Sequence, residues 1–191
     1  MNWYNRINTK TYVITTILLF VVLLGSLIYQ GHIPICECGY VLAWNGEVNT
    51  ANDSQHLADW YPFSHIIHGF VFFWLIRVIF RKKLPVEMAL LIALGIEIGW
   101  EILENSPIII NRYRETAATM YFGDSIFNSV ADVLWMMLGF LFAYKFPTWL
   151  SVAIVVFFEL FVLYFIKDNL VLNIIMLLHP FDAIKSWQMG S

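Results

Sequence analysis

An all-α bundle of about five transmembrane helices, closed by a short C-terminal interfacial or re-entrant segment, is the fold this sequence predicts. Three observations predict it. Of the 191 residues, 60% are hydrophobic and only 13% are charged, against about 25% charged in a soluble domain. Four apolar stretches each approach the roughly 20 residues that cross a bilayer as a helix. No room is left beside them for a separate soluble unit, so residues 1–191 read as a single transmembrane domain.

The first expected span is Thr11–Tyr29. It is longer than a typical signal core, Gln30-Gly31-His32-Ile33 lacks a small-x-small cleavage site, and Cys36 lacks the small residues that precede a lipoprotein cysteine, so the span is expected to stay uncleaved. A polar segment, Gln30–Pro62, follows without a single Lys or Arg. Span two, Phe63–Phe80, ends in the cluster Arg77, Arg81, Lys82, Lys83. Span three starts after Pro85, a good first-turn residue, and runs to Glu104, where Asn105-Ser106-Pro107 breaks it. Beyond a polar loop, Asn111–Tyr121, span four covers Asp124–Tyr144 and stops at Lys145-Phe146-Pro147. Span five is Trp149–Ile166. The apolar piece Leu170–Leu178 is too short to cross as a helix and reads as interfacial or re-entrant. Trp44, Trp60, Tyr61 and Trp149 suit interfacial belts.

Orientation follows from positive charge. With five spans, Arg6, Lys10, Arg77, Arg81, Lys82, Lys83 and Lys145 share one side, and Arg112, Arg114, Lys167 and Lys185 the other. The richer side is cytoplasmic by the positive-inside bias. The expectation is therefore a multi-pass protein of a bacterial inner membrane with a cytoplasmic N-terminus and with Gln30–Pro62 and Asn105–Gly123 outside. A net charge of −3 and the lack of a basic run with interleaved aromatics argue against nucleic acid as a partner.

Ionisable side chains inside spans are costly and turn to the bundle interior. Glu97, Glu101 and Glu104 lie at i, i+4 and i+7 of span three, Asp124, Asn128 and Asp132 at i, i+4 and i+8 of span four, and His65 and His68 at i and i+3 of span two. Each set shares one helical face, and all three run inward from the same outer end while the cytoplasmic halves stay apolar. Two imidazoles with several carboxylates suit a divalent metal of the zinc, iron or manganese type; the same carboxylates could share protons instead. The bland alternative is interhelical hydrogen bonding. Glu159, alone in span five, reads as a local hydrogen-bonding group. His56 and Asp59 could cap the cluster from outside, and Arg112 and Arg114 suit a phosphate or carboxylate head group, or simply an interfacial anchor. Asp124, in Gly123-Asp124-Ser125, could serve as a helix cap. Cys36 and Cys38, one residue apart near His32, have an unusual spacing for an unstrained disulfide and give only a weak metal signal.

Several runs together resemble a known family: Ser54-Gln55-His56-Leu57-Ala58-Asp59-Trp60-Tyr61, Ser64-His65-Ile66-Ile67-His68-Gly69-Phe70, Trp100-Glu101-Ile102-Leu103-Glu104-Asn105-Ser106-Pro107, Asn111-Arg112-Tyr113-Arg114-Glu115-Thr116, and Gly123-Asp124-Ser125-Ile126-Phe127-Asn128-Ser129. The stretch from Trp44 to Pro147 is similar to small bacterial inner-membrane proteins grouped as domain of unknown function 2585, or uncharacterised protein family 0314. The resemblance implies a multi-span membrane protein and supplies no activity.

The functional expectation is a metal-dependent hydrolase or transferase at the outer leaflet, working on a lipid or lipid-linked substrate. His65, His68, Glu101, Glu104 and Asp124 would hold the metal or act as acid and base, Asp132 and Glu97 would support them, and Arg112, Arg114, His56, Asp59 and Asn128 would bind substrate. The competing expectations are a metal-ion or proton carrier that uses the same carboxylates, extended by Glu87 and Glu159, and a non-catalytic assembly protein.

Overall fold

A computed structural model describes residues 7–81 and 83–190, so Arg6 and Lys82 of the positive-inside reading lie outside the described residues. Within them the chain is all-helical, with α1 (Thr9–Gln30), α2 (Pro62–Ile79), α3 (Val86–Glu104), α4 (Pro107–Glu115), α5 (Ile126–Lys145), α6 (Thr148–Ile166), α7 (Leu170–Leu178) and α8 (Asp182–Met189). The long helices fall on the five expected stretches to within a few residues. Helices α1, α2, α5 and α6 are long and apolar enough to cross a membrane. The remaining expected span, α3, has 19 residues but carries Glu87, Glu97, Glu101 and Glu104, and it lies among α1, α2 and α5.

Composition explains this layering. α1 and α6 turn Val13, Ile17, Val21, Val156, Leu160 and Phe165 outward, each at least half exposed, as lipid-facing helices do. The apolar core lies between α2, α3 and α5, where Phe70, Phe73, Leu94, Met136 and Phe140 are all but fully buried. α2 and α5 run parallel and touch through two glycines. A Cβ on Gly69 would fall on the Met136 carbonyl oxygen, and one on Gly139 on the Ile66 carbonyl oxygen. Side-chain-free positions let the two backbones meet, and that contact sets the spacing between His65 and Asp132 above it.

The polar segments gather at one end of the bundle, where α1 and α3 finish and α2 and α5 begin. α5 starts under firm control. Ser125 accepts from Asn128 N through its side chain, Ile126 N donates to Ile33 O at 2.9 Å, and Phe127 N donates to Pro34 O at 3.1 Å. The backbone of the 31–61 segment thus takes up N–H groups that a helix start leaves unpaired.

Two helices were not expected, α4 at the expected polar loop and α8 beyond the last expected segment. Ser106 accepts from Ile109 N, and Pro107 occupies the first turn, so the break at Asn105-Ser106-Pro107 is also the start of α4. α8 follows α7 after Pro180, with a left-handed Gly190 beyond it. The nine residues of α7 form the expected short segment.

Candidate functional site

α2, α3 and α5 bring their polar faces together just inside that end. Nδ1 of His65 donates to Glu97 Oε1 at 2.7 Å, and Nδ1 of His68 donates to Glu97 Oε2 at 3.1 Å. Glu97 is fully buried, so one carboxylate orients both imidazoles. In the neutral rings this puts the hydrogen on Nδ1 and leaves Nε2 free as a ligand or base, the usual way a carboxylate prepares a metal-binding histidine. Nε2 of His65 lies 3.8 Å from Asp132 Oδ2, and Nδ1 lies 3.6 Å from Glu101 Oε1.

Glu101 is the most telling residue. It is fully buried, and neither of its carboxylate oxygens has a hydrogen-bond partner; Oδ1 of Asp132 also lacks one. Such groups cost several kcal/mol when left uncompensated. Glu101, Asp124 and Asp132 each offer an oxygen within 4.8 Å of the others, and so do ligand atoms of His65, Glu101 and Glu104, and of His65, His68 and Glu97. A mixed imidazole and carboxylate set fits zinc, iron or manganese. A divalent cation would supply the partner that Glu101 and Asp132 lack.

Asp124 is held by its neighbours. Tyr121 OH donates to Oδ1 at 2.9 Å and Asn105 Nδ2 donates to Oδ2 at 2.9 Å, while Asp124 N donates to Asn105 Oδ1 at 2.7 Å. Asn105, fully buried, also reaches Ser129 Oγ and Glu101 O. It joins the end of α3 to the start of α5. His32 does the same from the end of α1: Nδ1 lies 3.0 Å from Asp124 O and Nε2 2.8 Å from Asn105 O. Its ring lies against Gly123, at φ 99°, where a Cβ would strike it. Neither Asn105 nor His32 stood out in the sequence as a site residue. Asn105 sat inside a helix-breaking tripeptide, and His32 lacked a recognisable spacing to any partner.

A cavity of about 330 Å³ opens beside the cluster, with His65, His68, Glu104, Asp124 and Asp132 on its polar wall. Glu104 accepts from Tyr113 OH at 2.7 Å, and the same hydroxyl lies 3.1 Å from Asn173 Oδ1 of α7, which forms the roof.

The residues expected to bind substrate fare differently. Arg112 and Arg114 do not reach the cavity. Nε and one terminal nitrogen of Arg112 donate to Leu177 O and Leu178 O at 2.8 and 2.9 Å, and the other pairs with Glu115 at 2.6 Å; Arg114 Nε donates to Tyr121 O at 2.6 Å. Both guanidinium groups are drawn to carbonyls at the ends of helices and turns, where the dipole favours a cation. Asp59 accepts from Ser54 N and Tyr61 N, fixing the turn ahead of α2; burial pushes its carboxyl up to about 7. His56 stacks on Tyr40, and its carbonyl accepts from Asn128 Nδ2 at 2.8 Å. His56, Asp59 and Asn128 therefore brace the rim rather than line the cavity. Asp53, on the cavity wall, has a carboxyl raised to about 6 by burial, and burial raises Asp168 to about 6 as well. Glu159 takes the local role expected of it, accepting from Leu170 N and Val171 N at the start of α7. Cys36 and Cys38 are joined as a disulfide despite their spacing, with His56 nearby.

A family profile described as a protein of unknown function (DUF2585) matches residues 27–190. The chain is 57% identical over 162 residues to a UPF0314 protein of Rhizobium johnstonii, covering 84% of this chain and 83% of that one. It is 58% identical over 160 residues to a UPF0314 protein of Agrobacterium fabrum, covering 83% and 80%. A UPF0314 protein of Sphingopyxis alaskensis is 50% identical over 173 residues, covering 90% and 92%. No solved structure matches the chain. An all-helical bundle with several apolar helices, matched along most of its length by these relatives, belongs to the UPF0314 (DUF2585) family.

Proposed function

We propose that this is a membrane-embedded, metal-dependent hydrolase or transferase that acts on a lipid or lipid-linked substrate at the outer leaflet of a bacterial inner membrane. One observation carries the reading: Glu101 is fully buried with both oxygens unpartnered, close to Asp132 and to the His65 imidazole, which Glu97 orients and whose Nε2 faces Asp132. His65, Glu101 and Asp132 would hold the cation, with Asp124 and Glu104 at its edge. When bound, a divalent metal would polarise a substrate oxygen and favour deprotonation of a nucleophile. His68, free at Nε2, is placed to take or return a proton at the cavity wall. Tyr113 and Tyr121 hold Glu104 and Asp124 in place, and α7 limits the entry of water from above.

The carrier reading has less support. Beneath the cluster, Phe70, Phe73, Ile76, Leu94, Met136 and Phe140 pack as an apolar core, and none of these side chains can relay an ion or a proton. The orientation draws on two features. A disulfide persists in an oxidising compartment, and Cys36–Cys38 sits at the polar end. Lys10, Arg77, Arg81, Lys83 and Lys145 flank the opposite helix ends.

Elemental analysis of purified, never-chelated protein tests the proposal. A stoichiometric divalent metal is expected in the wild type and is expected to be lost from folded Glu101→Gln and His65→Ala. Well-folded wild-type protein without metal would overturn it, and so would a Glu101→Gln protein that keeps its metal in full.

A further inference from the structure

The wall of the cavity changes character with depth. Its upper part carries Asp53, Glu104, Asp124 and Asp132, and among the described residues no Lys or Arg reaches it. One turn deeper, about 6 Å at 1.5 Å per residue, the lining becomes Phe72 below His68 on α2 and Ile96 below Trp100 on α3. Ile96 is 42% exposed on the outer surface of the bundle. The apolar part of the cavity therefore opens sideways between α2 and α3, at the level of hydrocarbon rather than of water. Leu170 and Ile174 of α7 close it from above.

We propose that the cavity admits a single-chain membrane amphiphile laterally between α2 and α3, with a hydrogen-bond-donating head group that bears no negative charge. The chain would lie along Phe72, Ile96 and Trp100, and the head group would reach Glu104 and Asp124. Charge complementarity selects the head group. The polar wall consists of carboxylates, phenols and imidazoles, and the two arginines best placed to receive a phosphate are committed to Leu177, Leu178 and Tyr121 carbonyls. A phosphate or carboxylate beside Glu104 and Asp124 would face like charge without a cationic side chain to receive it, and a divalent cation held by His65, Glu101 and Asp132 would already be offset by the two carboxylates that bind it. An alcohol or amine would find acceptors. The cavity's volume lies at the lower end of ligand pockets, with room for a head group and the start of one chain. The inference deepens the metal-dependent reading and rests on it for the chemistry, but not for the binding.

Terminally brominated dodecanol, dodecylamine and dodecyl phosphate provide the test, each titrated into the detergent-solubilised full chain. The signal is quenching of Trp100 fluorescence, taken as the difference between wild type and Trp100→Phe. Saturable quenching by the alcohol and the amine is expected, at least tenfold tighter than by the phosphate, with the saturable part weakened when Ile96→Phe narrows the mouth. Equal or tighter quenching by the phosphate would overturn the proposal, and so would quenching that saturates for none of the three. Metal content measured on the same samples separates the two readings. Metal present with phosphate preferred sinks this inference alone, whereas metal absent with the alcohol preferred sinks the catalytic reading alone.

Discussion

Gly139→Ala probes the contact that sets the site's width. The added methyl group would meet the carbonyl oxygen of Ile66, which belongs to a helix backbone and has no rotamer by which to move aside. Relief requires α5 to move from α2 by on the order of 1 Å in a close-packed interior. Overpacking of this kind costs about 1–3 kcal/mol, and a backbone obstacle places Gly139→Ala near the upper end. Gly139 lies seven residues after Asp132 on the same helical face, so the shift should also widen the 3.8 Å between Asp132 and His65. Metal–ligand bonds of about 2 Å tolerate little of this. The variant is thus expected to melt earlier in detergent and to bind metal at least tenfold more weakly. Gly95→Ala on α3 is the control, because a Cβ there meets nothing and removing a helical glycine gains roughly 0.5–1 kcal/mol. The reasoning fails if Gly139→Ala melts with or above the wild type and keeps its metal.

Replacing Asn105 by Ala strips hydrogen bonds from Asp124 N and Asp124 Oδ2 in a fully buried place, and about 2–3 kcal/mol of stability should be lost in chemical denaturation. Asp59 sets a pH dependence. Its carboxyl is raised from 3.8 to about 7 by burial, so the folded state binds the proton more tightly than the unfolded one. Its contribution is complete below about pH 4 and is lost as pH rises through about 7. Melting temperature should accordingly fall between about pH 4 and 7, and Asp59→Asn should flatten the fall. Arg112→Ala removes two bonds to the last carbonyls of α7. Hydrogen exchange across residues 170–178 should speed by about tenfold or more, while metal content is expected to stay unchanged. An unaltered exchange rate would show that the grip is dispensable.

The polar faces could be read from spacing alone. His65 and His68, Glu97 and Glu101, and Asn128 and Asp132 each declare a helical side by their separation, and burying a charge in a span leaves little choice of direction; Asp124, expected on the same helix, instead precedes the Ser125 cap of α5. The partner of each group was less accessible. Whether Glu97 orients imidazoles or Glu101 stands unpartnered depends on which turn of α3 faces which turns of α2 and α5, and of these registries the Gly69–Gly139 contact fixes only that of α2 against α5. The partners of Arg112 and Arg114 were hidden for a related reason. Their acceptors are backbone carbonyls, which every residue carries, and those of Arg112 lie 65 and 66 positions away. His32 and Asn105 were hidden likewise, because they serve carbonyls and an amide contributed by distant segments.

The small helices over the cavity have a bearing on biogenesis. Arg112 of α4 holds the end of α7, Lys185 of α8 donates to Glu115 O at the end of α4, and Lys167 donates to Trp187 O within α8. Each helix is fastened by a residue supplied from elsewhere in the sequence, α8 by Lys167 at the end of α6. During synthesis the long helices emerge first, and their acidic pocket stays uncovered until α7 and α8 have been made. A ribosome stalled before that point would leave an inserted bundle whose binding chamber has walls and floor but is still open above.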